Sequence, residues 1–246
     1  MPFLKRIVLD WDRLEESEKG GFPFDLPAIR SLSELDFPSN VTFFVGDNGS
    51  GKSTLLEAIG AACGFSVVGG KDLVIGKEKD DLSLSSILKL IWQPKVTSGF
   101  YFRAETFDTF AAYIDELSKE PFGSRAYEPY GGKSLNERSH GQGFLTFFEN
   151  RMTGRGLYVL DEPESALSPQ NQLAFMRIIW ELASVDRGQF IIATHSPILL
   201  SFPGARLLHF TDRSVADIDY EQTEHYRLTR DFLNNRERYF RLLFEE

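Results

Sequence analysis

Cysteine is almost missing from this chain. Cys63 stands alone among 246 residues, so no intramolecular disulfide can form. That usage suits a reducing compartment, and a cytoplasmic location is expected. Its place at the end of a helical pattern reads as a small packed side chain rather than a reactive thiol. The four histidines, at positions 140, 195, 209 and 225, are scattered, and no Cys/His spacing of a metal site occurs. Long apolar runs are missing too. No stretch approaches the roughly 18 residues expected of a membrane span, and the opening MPFLKRIVLDWDRLEE lacks the apolar centre of a signal peptide. Basic charge is in short supply: 27 Lys and Arg face 36 Asp and Glu, for a net charge of −9. This balance speaks against a broad nucleic-acid or anionic-membrane surface, while leaving room for a local basic patch. No internal repeat or low-complexity tract stands out. The 42% hydrophobic content is enough for a packed core, in one large domain or a domain with a small insert.

The chain is organised around VTFFVGDNGSGKSTLLEAIG, residues 41–60. Gly46-x4-Gly51-Lys52-Ser53 is the phosphate-binding P-loop pattern, and its context fits. Val41 to Val45 is a β-branched and aromatic run that predicts a buried strand. Leu55, Leu56, Ile59 and Ala62 recur at helical spacing. Gly46, Gly49 and Gly51 let the backbone curl so that its N–H groups face an anion. The helix N-terminus adds a dipole that favours phosphate. Lys52 would reach the β- and γ-phosphates and the Ser53 hydroxyl would ligate Mg²⁺. Asn48 and Thr54 belong to the same predicted phosphate-binding set.

A second signal is RGLYVLDEPESALSPQNQ, 155–172. Leu157 to Leu160 is continuously apolar, as expected of a central strand covered on both faces. Asp161 and Glu162 end it, where α/β sheets bind ligands. Asp161 would hold the Mg²⁺ hydration shell, and Glu162 would accept a proton from the attacking water or orient it. QFIIATHSPILLSF, 189–202, repeats the arrangement with His195 at the strand end. There His195 reads as a γ-phosphate sensor, with a structural histidine as the alternative. In NERSHGQGFLTFFENRM, 136–152, Ser139 precedes a helical pattern of Phe144, Leu145, Phe147 and Phe148. This is either an ordinary capped helix or an anion site opened by Gly141 and Gly143.

Elsewhere, residues 3–11 predict a strand, 31–35 a short helical turn, and 64–98 an irregular insert with a helix from Ser83 to Trp92. A strand is expected at 99–105, a helix at 106–117 and a loop at 120–134. Residues 205–210 and 215–220 predict closing strands. The tail from Thr223 reads as helical, with Asn235 as a cap and aromatics that either dock on the domain or recruit a partner.

The order P-loop, SHGQG, YVLDEP, SALS, ATHSP resembles the ATP-binding cassette ATPase superfamily over roughly residues 41–60 and 136–200. The SHGQG and FRAE segments look closer to small soluble bacterial ATPases related to its recombination and chromosome-maintenance branch. The resemblance implies an α/β P-loop fold with a mainly parallel central sheet flanked by helices. It implies one ATPase domain over 1–246, with a signature-bearing helical subregion at about 64–152. ATP and Mg²⁺ are the implied cofactors, and a head-to-tail homodimer around ATP is the implied assembly. By position, Ser139, Gly141 and Gln142 match the signature that contacts the γ-phosphate of the opposite subunit's ATP. Asp161 matches the Mg²⁺ carboxylate, Glu162 the catalytic glutamate and His195 the switch histidine. Family members often stack an aromatic from before the P-loop on adenine; Phe22 and Phe24 are either that or core residues.

The departures are specific. Arg138 and His140 replace the Leu and first Gly of Leu-Ser-Gly-Gly-Gln, and Ser168 ends the D-loop where many members have Asp. Arg103 or Glu105 occupies the region of the Q-loop glutamine, and Gln93 fits that role poorly. That glutamine serves a transmembrane partner in transporters, so a membrane partner is less expected. The implied function is a soluble ATPase switch or motor acting on a protein or nucleic-acid complex. The alternative is the ATP-binding subunit of a membrane transporter. A non-hydrolytic module is disfavoured because Lys52, Ser53, Asp161, Glu162 and His195 are all present. Only residues 61–138 separate the P-loop helix from the signature, which leaves no room for a long coiled coil.

Overall fold

The computed structural model describes residues 1–65, 83–121 and 123–244. These run as β1 (Leu4–Leu9), α1 (Pro27–Arg30), β2 (Glu34–Asp36), β3 (Val41–Val45), α2 (Lys52–Ala62), β4 (Leu88–Trp92) and β5 (Gly99–Arg103). Then come α3 (Phe107–Lys119), α4 (His140–Arg151), β6 (Gly156–Asp161), α5 (Pro169–Ala183), β7 (Gly188–Ala193) and α6 (Pro197–Leu200). The chain closes with β8 (Arg206–Phe210), β9 (Val215–Asp217), α7 (Glu224–Asn234) and α8 (Arg236–Phe244).

Six strands form the main sheet in the order β5-β6-β7-β3-β8-β9. All neighbours are parallel except β9, which runs antiparallel to β8. Strands β3, β6 and β7 are buried along their whole length. Burial on both faces is why they read as near-continuous apolar runs, with Thr42 and Gln189 as buried polar exceptions. The parallel arrangement brings the carboxyl ends of β3, β5, β6 and β7 to one edge, so the P-loop, Arg103, Asp161 and Thr194 emerge together. The expected mainly parallel sheet flanked by helices is the fold observed.

Successive side chains of a strand face opposite sides. Phe100, Phe102, Tyr158 and Leu160 therefore join a phenylalanine-rich core under α3, α4 and α5, with Phe107, Phe144, Phe147, Phe148 and Phe175. Tyr101, Leu157 and Val159 face a second core with Leu55, Leu56 and Ile59 of α2. That second core is closed by an antiparallel sheet, β2-β1-β4.

One buried side chain joins the two sheets. Gln189 of β7 is fully buried; its Oε1 accepts from Phe3 N at 2.9 Å and Leu4 N at 2.8 Å, and its Nε2 donates to Leu4 O at 2.9 Å. Leucine at this position would leave buried peptide groups unpaired, at about 1–3 kcal/mol each. Gln189→Leu should lower stability by about 2–4 kcal/mol in urea denaturation, and an unchanged midpoint would contradict this bridging role.

Two local expectations are corrected. Ser83 to Trp92 is not a helix: a 3-10 turn at Leu84–Ile87 leads into β4. Leu84, Ile87, Leu88 and Ile91 have helical spacing, but Leu88 is buried while Lys89 and Ile91 are exposed, and pairing with β1 decides the conformation. Residues 31–35 are not the helical turn either. It lies earlier, at α1, where Pro27 opens the helix. Glu34 to Asp36 pairs with β1 instead, and Arg6 bonds Asp36 at 2.6 Å and Glu34 at 2.7 Å. The irregular insert expected from residue 64 lies, over 66–82, outside the described residues. The tail is helical, and its aromatics pack on one another. Phe232 lies 5.5 Å from Tyr239 and 6.3 Å from Phe240 by ring centroids, while Phe244 is exposed.

Candidate functional site

The P-loop connects β3 to α2. Gly46 has φ +148°, and a Cβ there would stand 2.3 Å from the Phe210 carbonyl oxygen, so no other residue fits this passage beside β8. Gly49 and Gly51 also have positive φ, and Gly51 leads directly into α2. Lys52, the first residue of that helix, is buried, and its Nζ donates to the carbonyls of Gly46 at 2.7 Å and Asp47 at 2.8 Å. Its charge is thereby held at the loop. Burial pulls the Lys52 pKa down, and Glu162, Asp161 and Asp47 oppose that shift. Asn48 and Gly49 are exposed at the loop tip, while Ser53 and Thr54 are half-buried.

Ser53 Oγ donates to Asp161 Oδ1 at 3.1 Å, across 108 positions of sequence. Asp161 is 3% exposed, and burial pushes its carboxyl up to about 6 against the opposing bond from Ser53. A hydroxyl and a desolvated carboxylate side by side are hard oxygen donors whose charge a cation would compensate. This donor set fits Mg²⁺, which takes one or two protein oxygens and fills its octahedron with water and phosphate. No cluster of three or more His, Cys, Asp or Glu side chains suited to a metal occurs among the described residues. Glu162 follows Asp161 in the left-handed region, at φ +50°. A non-glycine residue held there is strained by roughly 1–3 kcal/mol, a feature that concentrates at functional sites. The turn carries its carboxylate toward the strand edge, where Oε1 lies 3.7 Å from His195 Nε2. Ser53, Arg103, Asp161, Glu162 and Ser165 line one continuous cleft.

Ser139, Gly141 and Gln142 do not line that cleft. Ser139 precedes α4 as its N-cap, but its hydroxyl makes no capping hydrogen bond, and Ser139 and Gln142 are exposed. Gly141 packs tightly against α5 and the D-loop. A Cβ there would meet Asn171 Nδ2 at 2.8 Å and the Ala166 carbonyl at 3.0 Å. Ser168 caps α5 by accepting from Asn171 N at 3.3 Å, so the serine at the end of the D-loop has a local role of its own. Arg138 donates to Thr146 Oγ1 of α4 at 3.1 Å.

Comparison with known proteins follows the same two halves. A family model described as "AAA domain" matches residues 26–116, which carry the P-loop. Another, described as "AAA domain, putative AbiEii toxin, Type IV TA system", matches 142–201, which carry Asp161, Glu162 and His195. The structure of cbiO1 from Clostridium perfringens, part of an ABC transporter complex, superposes with a TM-score of 0.53 at 14% identity, covering 96% of this chain and 97% of that one. The chain thus has the fold of an ABC-type ATPase domain, and AAA-domain models match its two motif-bearing stretches. The ABC multidrug transporter MDR1 of Trichophyton interdigitale is 29% identical across 71% of this chain, which spans only 13% of that protein's length. The OLD nuclease of Thermus scotoductus is 46% identical over 43 residues, 18% of this chain and 8% of that protein.

Three residues that sequence reading left unassigned stand at the site. Arg103 ends β5 opposite Asp161 in the parallel register, pairs with Glu105, and puts Nε 3.9 Å from Asp161 Oδ2. The signal for it was the missing Q-loop glutamine. Glu164 accepts from the His195 backbone N at 2.7 Å, and burial raises its carboxyl pKa. His225, on α7, sits with its Nε2 2.8 Å from His195 Nδ1. The histidines are thus not all scattered: two that stand 30 positions apart in the sequence meet. Of the two aromatics before the P-loop, Phe24 is a core residue against Trp11 and Phe22 is 73% exposed. Burial pushes the Cys63 thiol up to about 12, which suits a packed side chain.

Proposed function

We propose that the protein is a Mg²⁺-dependent ATPase that works as an ATP-driven switch, with residues 1–246 acting as one ATPase domain. The observation carrying this reading is the convergence of Lys52, Ser53, Asp161, Glu162 and His195 on one sheet edge. Ser53 and Asp161 stand 3.1 Å apart, and Glu162 and His195 stand 3.7 Å apart. The P-loop amides and Lys52 grip the phosphates, and Ser53 and Asp161 would hold Mg²⁺, which supplies charge neutralisation on the phosphate oxygens. Glu162 orients the attacking water and takes its proton as the new P–O bond forms and the bond from the γ-phosphorus to the β,γ-bridging oxygen breaks. His195 donates a hydrogen bond to a γ-phosphate oxygen. Positioning and electrostatics carry the rate in this chemistry.

The first test is binding. Lys52→Ala removes the cation at the loop and should weaken Mg·ATP affinity about tenfold or more, roughly 1.4 kcal/mol. Calorimetric titration of a folded variant decides it, and unchanged affinity refutes the assignment.

Dimerisation around ATP belongs to the same reading, supported by the exposure of Ser139 and Gln142 away from the chain's own cleft. A transporter-subunit reading is favoured by the MDR1 resemblance. The soluble-switch reading is preferred because Arg103, paired with Glu105, stands where the transporter glutamine is expected. Its target is a protein or nucleic-acid complex, with the short OLD nuclease match on the side of nucleic acid. Among the described residues no helix is long and apolar enough to cross a membrane. Isolation with or without membrane proteins separates the two readings.

A further inference from the structure

In the pair His195–His225, His195 falls in the ATHSP motif, but His225 belongs to none of the family motifs. His195 lies two residues beyond β7, and His225 stands at the start of α7, an element outside the motif-bearing core. Their rings lie 4.9 Å apart by centroids, and His195 Nδ1 and His225 Nε2 are 2.8 Å apart. Only one proton fits between these two nitrogens. The far nitrogens, His195 Nε2 and His225 Nδ1, are both buried and hydrogen-bonded to nothing among the described residues.

The neighbours decide who holds the shared proton. His195 Nε2 faces the Glu162 carboxylate at 3.7 Å. A bare nitrogen lone pair pointed at a carboxylate is repelled, whereas an N–H is attracted. His195 therefore carries its proton on Nε2, leaving Nδ1 as an acceptor. The donor to that acceptor is His225 Nε2–H. Burial lowers the pKa of both rings, in keeping with two neutral imidazoles. The donor is firmly seated. Thr223 caps α7 by accepting from Tyr226 N at 3.4 Å. The Tyr220 hydroxyl donates to the Pro197 carbonyl at 3.0 Å, and the Tyr220 and Tyr226 rings lie 4.5 Å apart.

We propose that His225 is a positioning residue: its Nε2–H fixes His195 in the Nε2–H tautomer and aims that proton at the γ-phosphate position. The consequence for turnover rests on the ATPase reading above; the tautomer does not. A histidine free to lose that proton to Nδ1 would present a lone pair to a phosphate oxygen and repel it. α7 thereby becomes part of the catalytic arrangement, through a single hydrogen bond.

The test uses two substitutions and two readouts. Long-range proton–nitrogen NMR of the imidazoles reports each histidine's tautomer, and four histidines make the spectrum assignable by single substitution. In the wild-type protein His195 should be the Nε2–H form. His225→Gln places a carboxamide N–H close to the lost imidazole N–H and should keep that tautomer, with kcat within about twofold. His225→Leu should give mixed tautomers and a kcat about tenfold lower or more with KM unchanged, the signature of misplacement in the transition state. An Nδ1–H His195 in the wild type overturns the proposal, and so does a His225→Leu protein that keeps both tautomer and kcat. If the wild-type protein turns over no ATP, the ATPase reading fails while the NMR result still decides this one.

Discussion

Glu162→Gln should lower ATP turnover about 10²-fold or more while leaving Mg·ATP bound, a loss of about 2.7 kcal/mol of transition-state stabilisation. Glutamine keeps the shape and size of the side chain and can still touch water, but it cannot take a proton. The backbone argues that the fold will tolerate the change. Position 162 sits at φ +50°, and its N–H is anchored to the Ala193 carbonyl at 2.9 Å, neither of which depends on the carboxylate. The carboxylate itself makes one weak contact within its turn, from Ser165 Oγ at 3.4 Å. Steady-state phosphate release against ATP affinity separates the two effects. A variant with wild-type turnover would remove Glu162 from the chemistry and leave Glu164, held by the His195 backbone, as the carboxylate to examine next.

The parts of this structure that could be read in advance are those where one physical constraint dominates. Strands β3, β6 and β7 are buried on both faces, so their sequences are mostly apolar and show no alternation. The P-loop needs glycine where the chain passes Phe210, and a lysine where the helix opens, so residue type and geometry coincide there. β4 is different, because an exposed Ile91 gave a strand the spacing of a helix, and only its partner β1 resolves the ambiguity. His225 escaped notice for a related reason. Its meaning lies in a contact across 30 positions and two elements, and neither end carries a local signature. Arg103 was half visible: its place in the strand was clear, but its proximity to Asp161 comes from sheet register.

ATP should drive two copies of this chain together. In the proposed reading, Lys52, Ser53, Asp161, Glu162 and His195 would surround the phosphates from one side. Ser139 offers a hydroxyl that its own helix does not use for capping, on an exposed turn beyond the cleft that these residues line. α4 begins just behind it, and the first-turn amides of a helix suit an anion. On the proposed reading one chain would hold both halves of a phosphate site, placed so that neither completes the other. A two-fold operation applied to two copies yields two complete sites. The γ-phosphate would then be the group gripped from both sides, and its loss on hydrolysis should release the pair. Glu162→Gln, which binds ATP without consuming it, should therefore accumulate as a dimer in Mg·ATP and return to monomer in Mg·ADP. Adding Ser139→Arg to that background should abolish the dimer. The substitution puts a bulky side chain at an exposed position, so the folded monomer and its ATP affinity should be nearly unchanged. Light scattering on both proteins in each nucleotide measures the outcome directly. A Glu162→Gln protein that stays monomeric at saturating Mg·ATP would mean that a different chain supplies the second half-site, and a Ser139→Arg double variant that dimerises as readily as its parent would remove Ser139 from the interface.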